Sequence, residues 1–147
     1  GRVFVIYSAS ASWETTYKLG MLALAPGGDP LDPTAWRKHA EPVLQATAHT
    51  WGVGHCCFTR SPDGREDWIA FHAKLETTPG WNRAIHLQRF EWDAAGAPVF
   101  GEPLAAGLPL ARPSGDRLAP DAMPSRPAWA ARLGEQPLVE AVTVLID

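Results

Sequence analysis

A chain of 147 residues is long enough for one domain with a sizeable core, and its net charge of −3 argues against nucleic acid as a partner. No basic run occurs, no apolar stretch reaches membrane-spanning length, and no charge pattern marks a helix lying on a membrane. Fourteen prolines and thirteen glycines between short apolar runs favour an all-β chain with tight turns.

The first expected strand is Arg2 to Ser8, apolar on both alternating faces and therefore covered on both sides. The chain enters it directly from Gly1, which reads as a truncated piece, and any export signal would lie upstream. Tyr17 to Ala25 is a second such strand, ended by the turn cluster Pro26-Gly27-Gly28-Asp29-Pro30. Trp36 to Leu44 is expected as an outer strand, with Pro42 acceptable only at an edge. These three strands resemble a propeller blade whose innermost strand lies upstream.

The pattern then starts again. His55 to Arg60 reads as a strand, Ser61-Pro62-Asp63-Gly64 as a hairpin turn, and Trp68 to Ala73 as the return strand. Arg83 to Trp92, the turn Asp93-Ala94-Ala95-Gly96 and a short edge strand near Pro98 to Phe100 complete four hairpin-linked strands. That order and size suit a second blade. Beyond Leu104 the chain becomes rich in Pro, Ala, Gly and Arg. Asp116 to Arg126 reads as a linker, Trp129 to Leu133 as a helical turn and Val139 to Ile146 as a last strand. The expected division is 1–115 for the blades and 116–147 for linker and tail.

Gly52-Val53-Gly54-His55 is the most pointed local feature. Glycines let the backbone pass close to something, and the histidine then starts the following strand, aimed into a central cavity. The alternative is a core histidine donating to a backbone carbonyl. His39, His49, His72 and His86 show no zinc-ligand spacing and read as structural or surface, with His72 the one most expected to be buried. Cys56 and Cys57 are adjacent, cannot close an unstrained disulfide, and read as small buried apolar residues. Glu14, Glu41 and Asp63 sit in a loop, before a proline and in a hairpin turn, so none is assigned as acid or base.

Three phrases, in order and spacing, resemble glycoside hydrolase family 43. They are Gly1-Arg2-Val3-Phe4-Val5-Ile6-Tyr7-Ser8-Ala9-Ser10 with Trp13 and Tyr17-Lys18-Leu19-Gly20; Asp29-Pro30-Leu31-Asp32-Pro33 with Trp36-Arg37-Lys38 and Pro42-Val43-Leu44; and Gly54-His55 through Ser61-Pro62-Asp63-Gly64 to Asp67-Trp68-Ile69-Ala70-Phe71-His72-Ala73 and Arg83. The resemblance implies an all-β fold: about two C-terminal blades, over residues 1 to 115, of a five-bladed β-propeller. It implies an inverting glycosidase acting on terminal arabinofuranosyl or xylosyl residues of plant polysaccharide, outside the cell or in the periplasm. The family's three catalytic carboxylates belong to earlier blades, with the general acid one strand before Gly1, so the resemblance implies no catalytic residue within this chain and makes the remaining N-terminal blades its partner.

Two family positions carry over. His55 matches the histidine that reaches the propeller axis below the sugar, where many members hold a central ion, often calcium; a contact through water suits an imidazole better than direct ligation. Arg83 matches the arginine that contacts the sugar near the general acid, where a fixed cation donates to hydroxyls and tunes a carboxyl. Trp51, beside the glycines, offers a face for a sugar ring, while Trp13 and Trp81 on loops are candidate outer-rim contacts. Trp68 and Trp92 read as packing between blades. The competing expectation is a non-catalytic carbohydrate-binding or self-associating half-propeller, since unpaired edges and uncovered faces invite association.

Overall fold

The computed structural model describes residues 1–117 and the strand Thr143–Ile146. It is all-β, with two four-stranded antiparallel sheets. The first holds β1 (Val3–Ala9), β2 (Lys18–Leu24), β3 (Trp36–Lys38) and β8 (Thr143–Ile146) in the order β3-β2-β1-β8. The second holds β4 (Trp51–Arg60), β5 (Asp67–Lys74), β6 (Arg83–Trp92) and β7 (Pro98–Val99) in sequential order. β8 pairs antiparallel with β1, Val3 opposite Ile146 and Ile6 opposite Thr143, and fills the position expected to belong to upstream sequence. Most of the expected linker and the helical turn at Trp129 to Leu133 lie outside the described residues.

One core joins the sheets. Phe4 and Ile6 of β1, Leu19 and Met21 of β2, Val53 and Cys56 of β4, Ile69, Phe71 and Ala73 of β5, and Phe90 of β6 form a single buried cluster with Leu44 and Phe100. Alternation along β5 explains its two faces: Ile69, Phe71 and Ala73 point to the first sheet, and Ala70 and His72 point away. Trp92 packs on Phe4 at 6.3 Å and on Phe90 at 5.5 Å, so it joins the sheets as expected. Trp68 lies on the opposite face, with its indole N–H donated to Glu66 at 3.2 Å. Buried Gln88 donates Nε2 to Phe100 O and Glu102 O and accepts from Leu104 N–H, pinning that segment to β6.

Three expectations need correction. Trp36 to Leu44 is not one outer strand: β3 stops at Lys38, and pairing with β2 resumes only at the Leu19–Leu44 bridge. Pro42, which has no N–H to give, sits in the break. β4 does not begin at His55 but runs from Trp51, with register shifts between Trp51 and Gly54 and between Gly54 and Cys57. The glycines are thus bulged positions inside a strand, not a turn before it. Cys56 is buried, and burial pushes its thiol up to about 12, but Cys57 points outward and is exposed, as strand alternation requires.

Gly54 marks the tightest passage. A Cβ there would run into the ring of Tyr17, which is 1% exposed. Gly54→Ala gains ~0.4–1 kcal/mol from a stiffer unfolded chain and loses more to the clash. The expected net loss is ~1–3 kcal/mol, seen as a lower thermal midpoint. An unchanged midpoint would show that Tyr17 does not pack on β4.

The turn after β4 is held by a polar clasp. Ser114 donates its hydroxyl to Asp63 Oδ1 at 2.6 Å and its N–H to Glu66 Oε2 at 2.9 Å. Ser114's hydrogen bonds are the first cause holding both carboxyls below their ordinary values, with Ser61 and Arg65 helping at Asp63 and Arg89 and Trp68 at Glu66. A depressed carboxyl stabilises the fold fully above its unfolded value of ~4 and loses that contribution as pH falls through the folded value. The Ser114 amide should therefore show a higher hydrogen-exchange protection factor at pH 6 than at pH 3. Glu66→Gln should remove the difference; equal protection at both pH values in the unaltered chain would refute the clasp.

Candidate functional site

One end of the second sheet gathers the chain's unusual side chains. Trp51 of β4, Lys74 of β5 and Arg83 of β6 form one row, since Trp51 pairs with Lys74 and Lys74 with Arg83. The next row places His72 opposite Gly54 and Ile85. Three loops and strands close on this end because the backbone of β4 is bare there: a Cβ at Gly52 would meet Lys74 and the carbonyl of Glu14 at 2.6–2.7 Å. Gly52 also has φ +55°, a conformation that favours glycine.

Lys74 is buried, at 3% exposure, and its ammonium donates to Trp13 O at 2.9 Å and to Gly80 O at 2.8 Å. A desolvated ammonium needs such partners, and here they are backbone oxygens of two different loops. Gly80 N–H donates to the same Trp13 carbonyl at 3.0 Å, and Gly52 N–H to Thr15 O at 3.0 Å. The β1–β2 loop and the β5–β6 loop are thereby stitched together over the end of the sheet.

Arg83 completes this arrangement. Its guanidinium lies 4.5 Å from the Trp81 ring centre and 5.8 Å from that of Tyr17, and its Nη2 donates to Ser12 O at 2.6 Å. It is half-buried rather than an exposed strand-end arginine, and burial holds its pKa below the usual value. Its Nε is buried without a hydrogen bond among the described residues.

His55 has φ +54°, a strained conformation for a non-glycine residue, and its N–H donates to Ser8 Oγ at 2.9 Å. Its ring lies 4.8 Å from that of His72, tilted by 33°. His72, expected to be structural or surface, thus belongs to this cluster; its own strand carries no signal for this, because its place opposite Gly54 appears only on pairing. Its Nδ1 is also buried without a hydrogen-bond partner among the described residues. Burial first, then the charges of His55 and Arg83, holds the imidazole below its usual pKa. Calcium takes six to eight oxygen ligands, whereas the cluster offers imidazoles and a guanidinium. No group of three His, Cys, Asp or Glu side chains gathers among the described residues, so they do not by themselves fit a calcium ion.

A family model described as glycosyl hydrolases family 43 matches residues 1–98. The chain belongs to that family. An extracellular exo-alpha-(1->5)-L-arabinofuranosidase of Streptomyces avermitilis is 38% identical, over 74% of this chain and 24% of its own length. Alpha-L-arabinofuranosidase B of Pyricularia oryzae is 33% identical, over 73% of this chain and 24% of its own. The crystal structure of an alpha-L-arabinofuranosidase from Lactobacillus brevis superposes with a TM-score of 0.68 at 37% identity, covering 74% of this chain and 36% of that one. The family 43 chain thus forms part of a five-bladed propeller and spans about a quarter of the length of these curated relatives.

Among the described carboxylates, Asp63 and Glu66 hold Ser114, and Asp67 binds Arg60 at 3.1 Å and the Trp92 indole at 2.8 Å. The cluster described above is built of cations, imidazoles and aromatic faces, not of the paired carboxyl groups that glycoside hydrolysis uses.

His72 should titrate below the ordinary histidine value of ~6.5, read from its ring proton shifts by NMR. A lowered folded pKa means the unfolded chain binds more protons, so this stabilisation is complete above ~6.5 and lost as pH falls through the folded value. Arg83→Gln should raise the His72 midpoint only in part, because burial is the larger cause. A midpoint at or above 6.5 in the unaltered chain would contradict the placement.

Proposed function

We propose that this chain is the sugar-orienting part of an inverting glycosidase that removes terminal arabinofuranosyl residues from plant polysaccharide, outside the cell or in the periplasm. The carrying observation is Arg83: a half-buried guanidinium beside the Trp81 and Tyr17 rings, in a chain 33–38% identical to arabinofuranosidases. Arginine donors suit the hydroxyls of a bound pentose, and the cation acts on a general-acid carboxyl supplied from beyond this chain. Xylosyl residues are the alternative substrate. His55 faces the propeller axis in this reading, reaching a central calcium through water, with the oxygen ligands coming from outside the chain. Trp51, in the row of Arg83, offers a ring face to the same sugar in this reading.

The outer face of the second sheet supports the need for further blades. Cys57, Ile85 (77% exposed) and Leu87 (39% exposed) form an apolar stripe beside an open recess of about 290 Å³ reaching from His55 to Ile85. In the proposed enzyme the remaining blades of the same propeller cover it. The same stripe favours the second reading, a half-propeller that pairs with itself.

Release of 4-nitrophenol from the α-L-arabinofuranoside and the β-D-xyloside, by the chain alone and by a complete family domain containing it, tests the proposal. The complete domain should be active on the arabinofuranoside, lose at least about a hundredfold with Arg83→Ala, and the chain alone should be inactive. A silent complete domain, with a chain that sediments as a dimer, would replace the enzyme reading by the self-associating one.

A further inference from the structure

Trp13 and Trp81 come from loops of different sheets, yet their rings meet at 6.0 Å with planes 53° apart. Both stay open to solvent, Trp13 at 46% and Trp81 at 60%. Two exposed tryptophans on floppy loops would ordinarily collapse onto nearby apolar surface. These are held out by construction. Lys74 anchors the carbonyl of Trp13 itself and that of Gly80, the residue before Trp81. Gly80 N–H closes on the same Trp13 carbonyl, and Arg83 fixes Ser12 while its guanidinium lies against Trp81. Desolvating a lysine to fix two loop backbones is costly, and what it secures is the position of two indoles.

We propose that Trp13 and Trp81 form a preorganised aromatic platform for a neutral pentosyl unit, the one linked to the terminal sugar that Arg83 orients. This rests on the reading of Arg83 given above and adds a second subsite to it. The chemistry fits a saccharide. Indole faces take the C–H face of a sugar ring, and Arg83, 4.5 Å from the Trp81 ring centre, holds the terminal unit to which that ring is linked. Fixing the rings before binding removes the ordering cost that flexible loops would impose. A two-unit site also gives a physical means of favouring chain ends of oligosaccharides over free pentose.

The test is calorimetric titration of the chain with α-1,5-linked arabinotriose and with free arabinose. The chain should bind the triose, and Trp13→Ala and Trp81→Ala should each weaken binding about tenfold or more. Trp81→Phe, which keeps an aromatic face, should stay within about threefold of the unaltered chain, and Trp36→Phe, at the edge of the first sheet, should change nothing. Circular dichroism confirms that each variant is folded; if the alanine variants unfold, the Trp81→Phe and free-arabinose comparisons decide. Xylotriose binding lost in the same variants supports the platform and changes only the pentose. Equal triose affinity in the folded alanine variants, no preference for triose over arabinose, or no binding by the unaltered chain overturns it. Hydrolysis of the nitrophenyl arabinofuranoside by the complete domain reports separately on the Arg83 reading, since that substrate has no second pentose. There the alanine variants should raise KM for the triose while leaving the nitrophenyl substrate's KM within about twofold.

Discussion

The close passage of β4 beneath its neighbours governs the rest of the molecule. Without side chains at Gly52 and Gly54, β4 lets Tyr17 lie on it from the first sheet and Lys74 reach along it from the second. Tyr17 then becomes one wall for the Arg83 guanidinium, and Lys74 is left facing two loop carbonyls. The register shifts that accompany the glycines turn His55 out of the regular ladder and onto His72. One local irregularity thus positions the imidazoles, the arginine and both tryptophan loops. A regular β4 would place side chains where these groups now pack.

Electrostatics reinforces this geometry. Lys74, Arg83 and His72 share one partly desolvated end of the sheet, and burial first, then His55 and Arg83, disfavours protonation of His72. Lys74 settles its charge on backbone carbonyls, which carry no charge to attract a competing cation. Arg83 spends one donor on Ser12, and its charge lies over the Trp81 and Tyr17 rings. The cluster is therefore positive.

Much of the architecture was legible because hairpin chemistry is local. The turns Ser61 to Gly64 and Asp93 to Gly96 lie where Asp-Gly and Asp-Ala-Ala-Gly place them, and β5 and β6 match the apolar runs that announce them. β3 was overextended because a run of plausible strand residues hides the break at Pro42 until the partner strand is known. β4 was started too late for a related reason: glycine signals a turn and a bulge equally, and only pairing separates them. The site was half legible. His55, Trp13 and Trp81 drew attention by type and context and Arg83 through the resemblance to family 43, whereas Lys74 and His72 looked like ordinary strand residues. Their importance comes from register across β4, β5 and β6, which no single strand carries in its sequence.

The strand edges bear on how the chain meets its neighbours. β4 lies at one edge of the second sheet and is bulged twice, and β7 at the other edge is two residues long and begins with Pro98. β3, at the edge of the first sheet, is three residues long, and β8 takes up the free side of β1. Bulged, short and proline-bearing edges resist strand addition. The outer face of the second sheet has no such protection, since Ile85 and Leu87 stand open there. Contact with further structure is therefore favoured through side chains, face to face, rather than by extending a ladder. Face-to-face packing is how adjacent propeller blades meet, and it brings the recess lined by His55 and His72 against whatever covers the sheet.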